Sequence, residues 1–588
     1  MKNLKVLPII IVVSLLVVNC KSDKKEQNFK AITDAYFDGK NELDPLGATQ
    51  NGQNEYNDQL VFEMTDSYRK KQAAFFDKFD NELTTVDTTA LSAEEKISYD
   101  IIKWEVSVGK NLLKYDTNLM PVQQFWGTNL TLGQFASGSS AQPFKTEKDH
   151  KNFLKRMDLF AVWMDSAMVY MKKGVDKGIV LPKSLTIKVI PQFESMVTPN
   201  VEDNLFYSAV KSFPKEITTE QQDALKKEYA ATIKEKLEPQ FKKMTAFLKN
   251  EYLSASRTTS GISSLPNGKD LYKVYARLWT TTSKTPEQIH ALGLTEVARI
   301  KAEMEKVKDQ VGFKGTINEF FEHVRTKPEL MNFKTPEDVI ANFERIHKII
   351  QPNVDKLFSL QPKCAFQIKR TEAFREKSAS AEYSQGTADG KRPGTFYVPI
   401  PDVTKYNYYG DEDLFLHEAI PGHHFQISLQ QENNDLPDFR KFNWFGAYGE
   451  GWALYTESLG KELGLYTDPY QYFGMLGNEM HRAVRLVVDT GIHNQGWTRE
   501  QAIKYSLENE AESEEGITAE IERYMAIPGQ ALSYKMGQMK ILELRKKAQE
   551  KMKDKFDIKV FHQKVLESGV LPLALLEKKI NNWIETGK

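Results

Sequence analysis

Apolar residues recur at helical spacing over most of the chain. From about Ala31 to Asn250 they form long amphipathic runs, among them Tyr56–Leu83, Ser92–Leu113 and Lys148–Gly174. That three-to-four-residue repeat is what buries one face of a helix. Helix starts are marked by chemistry as well as by period. Ser92 followed by Glu95 forms a capping box. Thr285-Pro-Glu-Gln288 and Thr335-Pro-Glu-Asp338 set a capping hydroxyl ahead of a proline at the first helical position, and Thr498-Arg-Glu-Gln501 caps a later helix. Gly174–Pro182 reads as a turn between helices. Two stretches break the pattern. Pro121–Pro143 is an irregular insert rich in Gly, Ser, Gln and aromatics, read first as a surface loop and second as a groove lining. Thr259–Lys269 is polar and Gly/Ser-rich, and is the linker candidate. Short strands are expected near Cys364–Ile368 and over Gly394–Pro399, where β-favouring residues replace the helical repeat.

The densest apolar segment follows those strands. Leu414-Phe-Leu runs into His417-Glu418, then Pro421-Gly422-His423-His424, and a polar gap leads to Glu450-Gly-Trp-Ala-Leu-Tyr-Thr-Glu457. Three of the ten histidines fall within eight residues here. In H-E-x-x-H, residues four apart share one helix face, so two imidazoles reach one zinc ion and the Glu acts as general base. Here the fourth residue after His417 is Pro421, which has no ligand atom. On a regular helix His423 lies about 240° round from His417, and His424 about 10 Å along the axis. Pro421-Gly422 allows a distortion. A two-residue bulge brings His423 into place and a three-residue bulge brings His424; the smaller distortion favours His423. Glu450 and Glu457 are the candidate acidic ligands, seven residues apart and so on one helix face. The expected fold class is mainly α, a large helical fold with a few short strands beside the metal-binding helix. An N-terminal helical part spans 31–260 and a second part 261–588, within one continuous domain of about 31–588.

The N-terminus sets the compartment. Residues 1–19 put two lysines before an apolar run, the pattern of a secretory signal. Cys20 at its end reads as a lipid-attachment site, although Asn19 departs from the usual small residue before it. Residues 20–30 read as a flexible tether, disordered over Lys21–Gln27. The expectation is an exported lipoprotein of the cell envelope, tethered to a membrane through Cys20. Only Cys20 and Cys364 are present, so a lipidated Cys20 leaves no internal disulfide. Net charge is −1, and no basic stripe or phosphate-binding glycine loop occurs, which argues against a nucleic-acid partner. Oligomeric state is not legible.

The motif segment resembles gluzincin metallopeptidases, which use two helix histidines and a later glutamate. EGWALYTE is similar to the glutamate helix of the aminopeptidase branch, and this matches Glu450 as third ligand; dipeptidyl peptidase three carries a related one-residue insertion between its histidines. More closely, the chain resembles the bacterial family filed as domain of unknown function 885. The shared motifs are H-E-x-x-P-G-H-H at His417–His424, E-G-W-A-L-Y at Glu450–Tyr455, R-L-V-V-D-T-G-I-H at Arg485–His493 and P-G-Q-A-L-S-Y at Pro528–Tyr534. The resemblance implies the helical architecture of the angiotensin-converting and oligopeptidase groups and action on short peptides. It implies one zinc ion per chain, held by His417, His423 and Glu450, with Glu418 as general base. Pro528–Tyr534 resembles the late tyrosine segment of helical oligopeptidases, making Tyr534 the expected oxyanion donor, Tyr524 the reserve and His493 a helper or orienting partner. Arg485 is a candidate for a substrate carboxylate or for a bridge to Asp489. In gluzincins a strand before the metal helix pairs with substrate, a role assigned here to Thr395–Val398, with Tyr397 as a substrate contact. Two other readings stand beside the peptidase: a lipid-anchored binding protein on an inactive peptidase fold, and an amidase or esterase acting on a non-peptide.

Overall fold

The computed structural model describes residues 20–138, 140–371, 376, 380–387 and 392–587, with side chains from residue 29 onward. The leader expected over residues 1–19 lies outside the described residues, as does the Cys20 side chain. The described chain is mainly helical with one three-stranded sheet. Among the described residues no helix is long and apolar enough to cross a membrane.

The N-terminal half includes the helices α1 (Cys20–Leu43), α2 (Asp66–Thr84), α3 (Ala93–Leu112), α4 (Thr128–Ala136) and α5 (Glu147–Lys177). Three expectations change here. The segment 21–27 continues helix α1 and is not an irregular tether; its Lys, Glu and Gln residues carry good helix propensity. Residues 57–65 are not helical as the periodicity suggests. The helix begins at Asp66, where the Thr65 hydroxyl caps the Tyr68 N–H. The 121–143 insert contains the nine-residue helix α4.

Capping chemistry is met at all four marked sites. Ser92 starts α3, Thr285 starts α6 (Pro286–Gln310) and Thr335 starts α7 (Pro336–Leu357), each as a full capping box. Thr498 does the same further on. The 259–269 stretch is not a loose linker. Ile262 is buried in it, and a side chain at Gly261 would fall 1.9 Å from the Ile492 carbonyl oxygen.

Strand β1 (Phe366–Arg370), β2 (Glu382–Ser384) and β3 (Gly394–Val398) form a sheet in the order β1-β3-β2. β3 pairs with β1 in parallel and with β2 antiparallel. The second half then runs through α8 (Asp411–Glu418), α9 (His423–Glu432), α10 (Gly446–Glu457), α11 (Pro469–His493), α12 (Glu514–Ala526) and α13 (Ser533–Met552).

Two cores hold this together. The larger joins Phe29, Tyr36, Phe79 and Ile101 of the first helices to Phe415, Trp452, Val484 and Trp583 of the second half. The smaller gathers Trp163, Phe206, Tyr229 and their neighbours between residues 46 and 252. Residues from both sides of position 260 therefore share the core that supports α8, α10 and α11.

Candidate active site

Helix α8 delivers His417 and Glu418 in its last turn and stops there. The expected bulge is a complete break. Ala419 leaves helical geometry, the Ile420–Pro421 peptide is cis, and α9 restarts at His423. Only glycine fits at 422, since a side chain there would lie 1.9 Å from the His417 carbonyl oxygen and 2.3 Å from that of Leu416. Helix α10 pins the break. The Trp452 indole N–H donates to the Pro421 carbonyl at 2.9 Å, and the Thr456 hydroxyl to that of Leu416 at 2.8 Å.

The break turns the His423 ring toward His417, with centroids 4.8 Å apart and planes at 88°. Glu450 of α10 completes the group. Its Oε2 lies 3.7 Å from His417 Nε2 and 3.4 Å from His423 Nε2, and the three donor atoms are all within 4.8 Å of one another. Two ligand atoms each about 2.1 Å from a tetrahedral ion sit about 3.4 Å apart. The donor set therefore fits a divalent cation such as zinc with little adjustment.

Glu457, the other candidate acid, does a different job. Its Oε1 accepts from His417 Nδ1 at 2.6 Å, which fixes the ring and leaves Nε2 bare toward Glu450. His424 is turned away: its Nδ1 meets the Tyr383 hydroxyl at 3.0 Å, and it takes no place in the donor group. Burial would raise the Glu450 carboxyl, but the adjacent imidazoles more than offset this and hold it well below the usual carboxylate range. Burial pushes Glu418 up, against the pull of the same two rings.

These groups open on a cavity of about 830 Å³, walled opposite by Arg485, Tyr524 and Tyr534. Arg485 does not bridge to Asp489. Its Nε donates to the Tyr524 hydroxyl at 2.9 Å, and its Nη2 to His481 Nε2 and Glu520, each at 3.0 Å. Its face covers the Tyr534 ring at 4.5 Å, and its buried Nη1 has no partner. Asp489 instead accepts from the Tyr272 hydroxyl and the Gly529 N–H. The Tyr534 hydroxyl accepts from Arg523 at 3.4 Å.

Two expected site residues fall elsewhere. His493 is fully buried, with Nδ1 accepting from the Ile262 N–H at 3.1 Å and Nε2 donating to the Tyr524 carbonyl at 3.0 Å. Both nitrogens are spent on backbone, so it has nothing left for an oxyanion or a metal ligand. Tyr397 sits on β3, the middle strand, whose two edges are already paired. The cavity is bordered by residues 380–383, which lead into the edge strand β2. Arg482, Glu520, Arg523 and Trp444 also line the cavity, and no motif in the sequence marks them. The wall is broader than one helix stripe, and α12 closes it from the side.

Comparison with known proteins agrees with this architecture. A Colwellia psychrerythraea protein described as a "putative lipoprotein" superposes with a TM-score of 0.87 at 28% identity, over 95% of this chain and 99% of that one. A Shewanella oneidensis "putative lipoprotein of unknown function" gives 0.74 at 20% identity over 94% and 99%, a likeness of fold. No functionally curated protein matches. The profile described as bacterial protein of unknown function (DUF885) matches residues 45–580, and the chain belongs to that family.

Proposed function

We propose that the protein is a zinc-dependent hydrolase of the gluzincin type, a metallopeptidase acting on short peptides. The observation that carries this reading is the convergence of His417 Nε2, His423 Nε2 and Glu450 Oε2 within 4.8 Å on one cavity wall, with Glu418 beside them. A bound zinc ion supplies hydroxide at neutral pH and polarises a carbonyl. Glu418 takes the proton of the attacking water and returns it to the leaving amine. Tyr534, facing the same cavity, donates to the oxygen that gains charge. Arg485, which lines the same cavity, is the residue proposed to hold a carboxylate of the substrate. The edge strand β2 takes the substrate-pairing role, because β3 has no free edge. Placement at the cell envelope through lipidated Cys20 belongs to the same reading, and both similar structures carry the word lipoprotein in their descriptions.

The test is metal content and turnover measured together. The protein from residue 21 onward is expected to bind about one zinc ion and to cleave short peptides. Glu418→Gln keeps the metal and loses at least 100-fold in turnover, on the order expected for a general base. His417→Ala loses both. Full turnover in Glu418→Gln rejects the scheme. Zinc binding with cleavage of acyl amides or esters but no peptide moves the reading to an amidase or esterase, and zinc binding with no cleavage at all moves it to a binding protein.

A further inference from the structure

The aromatic residues of the 121–143 insert take no part in the scheme above. Phe125 is 48% exposed and Trp126 54%, and Trp444 is 43% exposed. They are the aromatic members of the large exposed hydrophobic side chains among the described residues. Exposed rings scattered singly carry no meaning, but rings gathered into one patch mark a binding surface.

They are also gathered in one place. Trp126 lies 6.2 Å from Trp279, ring to ring. Trp126, Trp279 and Trp444, with Trp104 and Phe445, line a second cavity of about 480 Å³. Trp444 is the partition between this cavity and the one holding the metal ligands, since it lines both. Its ring sits 6.0 Å from that of His423. The partition is built in: a side chain at Gly449 would fall 2.0 Å from the indole, so glycine is what lets Trp444 lie on α10 one residue ahead of Glu450. Phe125, the neighbour of Trp126 in sequence, lies under the Arg523 guanidinium at 4.9 Å, and Arg523 lines the metal-site cavity.

We propose that the aromatic cavity is a specificity subsite that takes a bulky aromatic side chain of the substrate close to the scissile bond. This rests on the hydrolase reading above. Its nearness to the metal-site cavity supplies the occupant: Trp444 walls both, and its ring stands 6.0 Å from that of His423, so a side chain of a peptide held at the metal ligands is within reach of it. The wall chemistry supplies the class. Ring faces and edges favour another ring by stacking and edge-to-face contact. Its charged groups are few: Lys40 pairs with Glu105 at 3.1 Å, Glu105 also accepts from Asn443 and Tyr36, and Asp44 caps the Gly47 N–H. Aromatic rings outnumber these charged groups in the wall.

Binding separates this proposal from the reaction itself. Alanine pentapeptides bearing one phenylalanine at each position in turn are titrated calorimetrically into zinc-loaded Glu418→Gln protein. Phenylalanine at one position is expected to tighten binding about three- to tenfold over the all-alanine peptide. Trp126→Ala, on the exposed insert, abolishes that gain and leaves the all-alanine peptide unaffected. Equal affinity at every position, no binding of any peptide, or a gain that survives Trp126→Ala overturns the subsite. Tighter binding of a decanoyl-alanine peptide than of any phenylalanine peptide also overturns it, in favour of an acyl chain. The same peptides given to the wild-type protein report on the chemistry alone: a Trp126-dependent preference in binding, with no cleavage, keeps the subsite and removes the hydrolase reading.

Discussion

Glu457 shows how much a single buried side chain decides. Seven residues from Glu450 on the same face, it competes on paper for the role of ligand. In the folded protein one carboxylate reaches the donor group and the other stands behind His417 at 2.6 Å. The difference is one of depth, with Glu457 1% exposed against 18% for the Glu450 side chain. A carboxylate behind a ligating histidine fixes its tautomer and raises its basicity, and losing it typically costs about 10- to 100-fold in metal affinity. Glu457→Gln is therefore expected to keep the fold and weaken zinc binding by about that factor, measured by competition with a chelator. Unchanged affinity would mean that His417 is oriented by packing alone. His423 has no equivalent, as its Nδ1 is buried without a partner, so the effect is confined to one side of the site.

At the scale of elements, the site depends on two helices meeting at glycines. Helix α10 carries Glu450 and α13 carries Tyr534. A side chain at Gly451 would lie 2.4 Å from the Gly537 Cα, and one at Gly537 would lie 1.8 Å from the Ala447 carbonyl oxygen. Backbone cannot yield as a flexible side chain does, so Gly537→Ala must push the helices apart. The expected result is a loss of about 2–4 kcal/mol in stability, with weaker zinc binding because Glu450 moves with its helix. Gly477→Ala on α11, where the added carbon meets nothing within 4 Å, is the control, expected to gain up to about 1 kcal/mol because alanine is the better helix former. Urea unfolding of the three proteins decides it; equal stability of the two variants would show that the contact relaxes freely.

The same scale marks what was legible in the sequence. The capping boxes at Ser92, Thr285, Thr335 and Thr498 work locally, so they read correctly in isolation. The break after Glu418 was legible as a distortion from Pro421-Gly422, but its form depends on Trp452 and Thr456 holding it from another helix. His493 reads as chemistry in TGIH because its partners, Ile262 and Tyr524, come from remote segments. Tyr397 reads as a substrate contact because nothing local reveals that β3 is the central strand. At these site positions a distant element, not the local pattern, sets the outcome.

For the whole molecule, the first helices and the last share one core, so stability is a property of the full chain. Arg440 makes the union specific: it is 1% exposed, and its guanidinium donates to Glu94 and Ser98 of α3 and to the Ser568 carbonyl. Two buried histidines tie that same core together and make it sensitive to acid. His562 donates from Nδ1 to the Leu357 carbonyl at 2.8 Å and accepts at Nε2 from the Tyr455 hydroxyl at 2.7 Å. His493 is committed in the opposite tautomer, accepting at Nδ1 and donating from Nε2. Each ring is neutral by the nature of its partners, and burial pulls each down to about 3 from the ordinary 6.5. Between those values the unfolded chain binds protons that the folded one refuses, so the stability these rings contribute is whole above about pH 6.5 and is lost as pH falls toward 3. The loss is about 1.4 kcal/mol per pH unit for each ring, so the pair removes about 4 kcal/mol between pH 7.5 and pH 5. Urea unfolding of the intact protein at the two pH values measures the slope. His562→Gln, whose amide can both donate and accept, is less stable at pH 7.5, but its decline toward pH 5 is shallower by about 2 kcal/mol. A variant that declines as steeply as the wild type would show that the acid sensitivity comes from elsewhere than this ring.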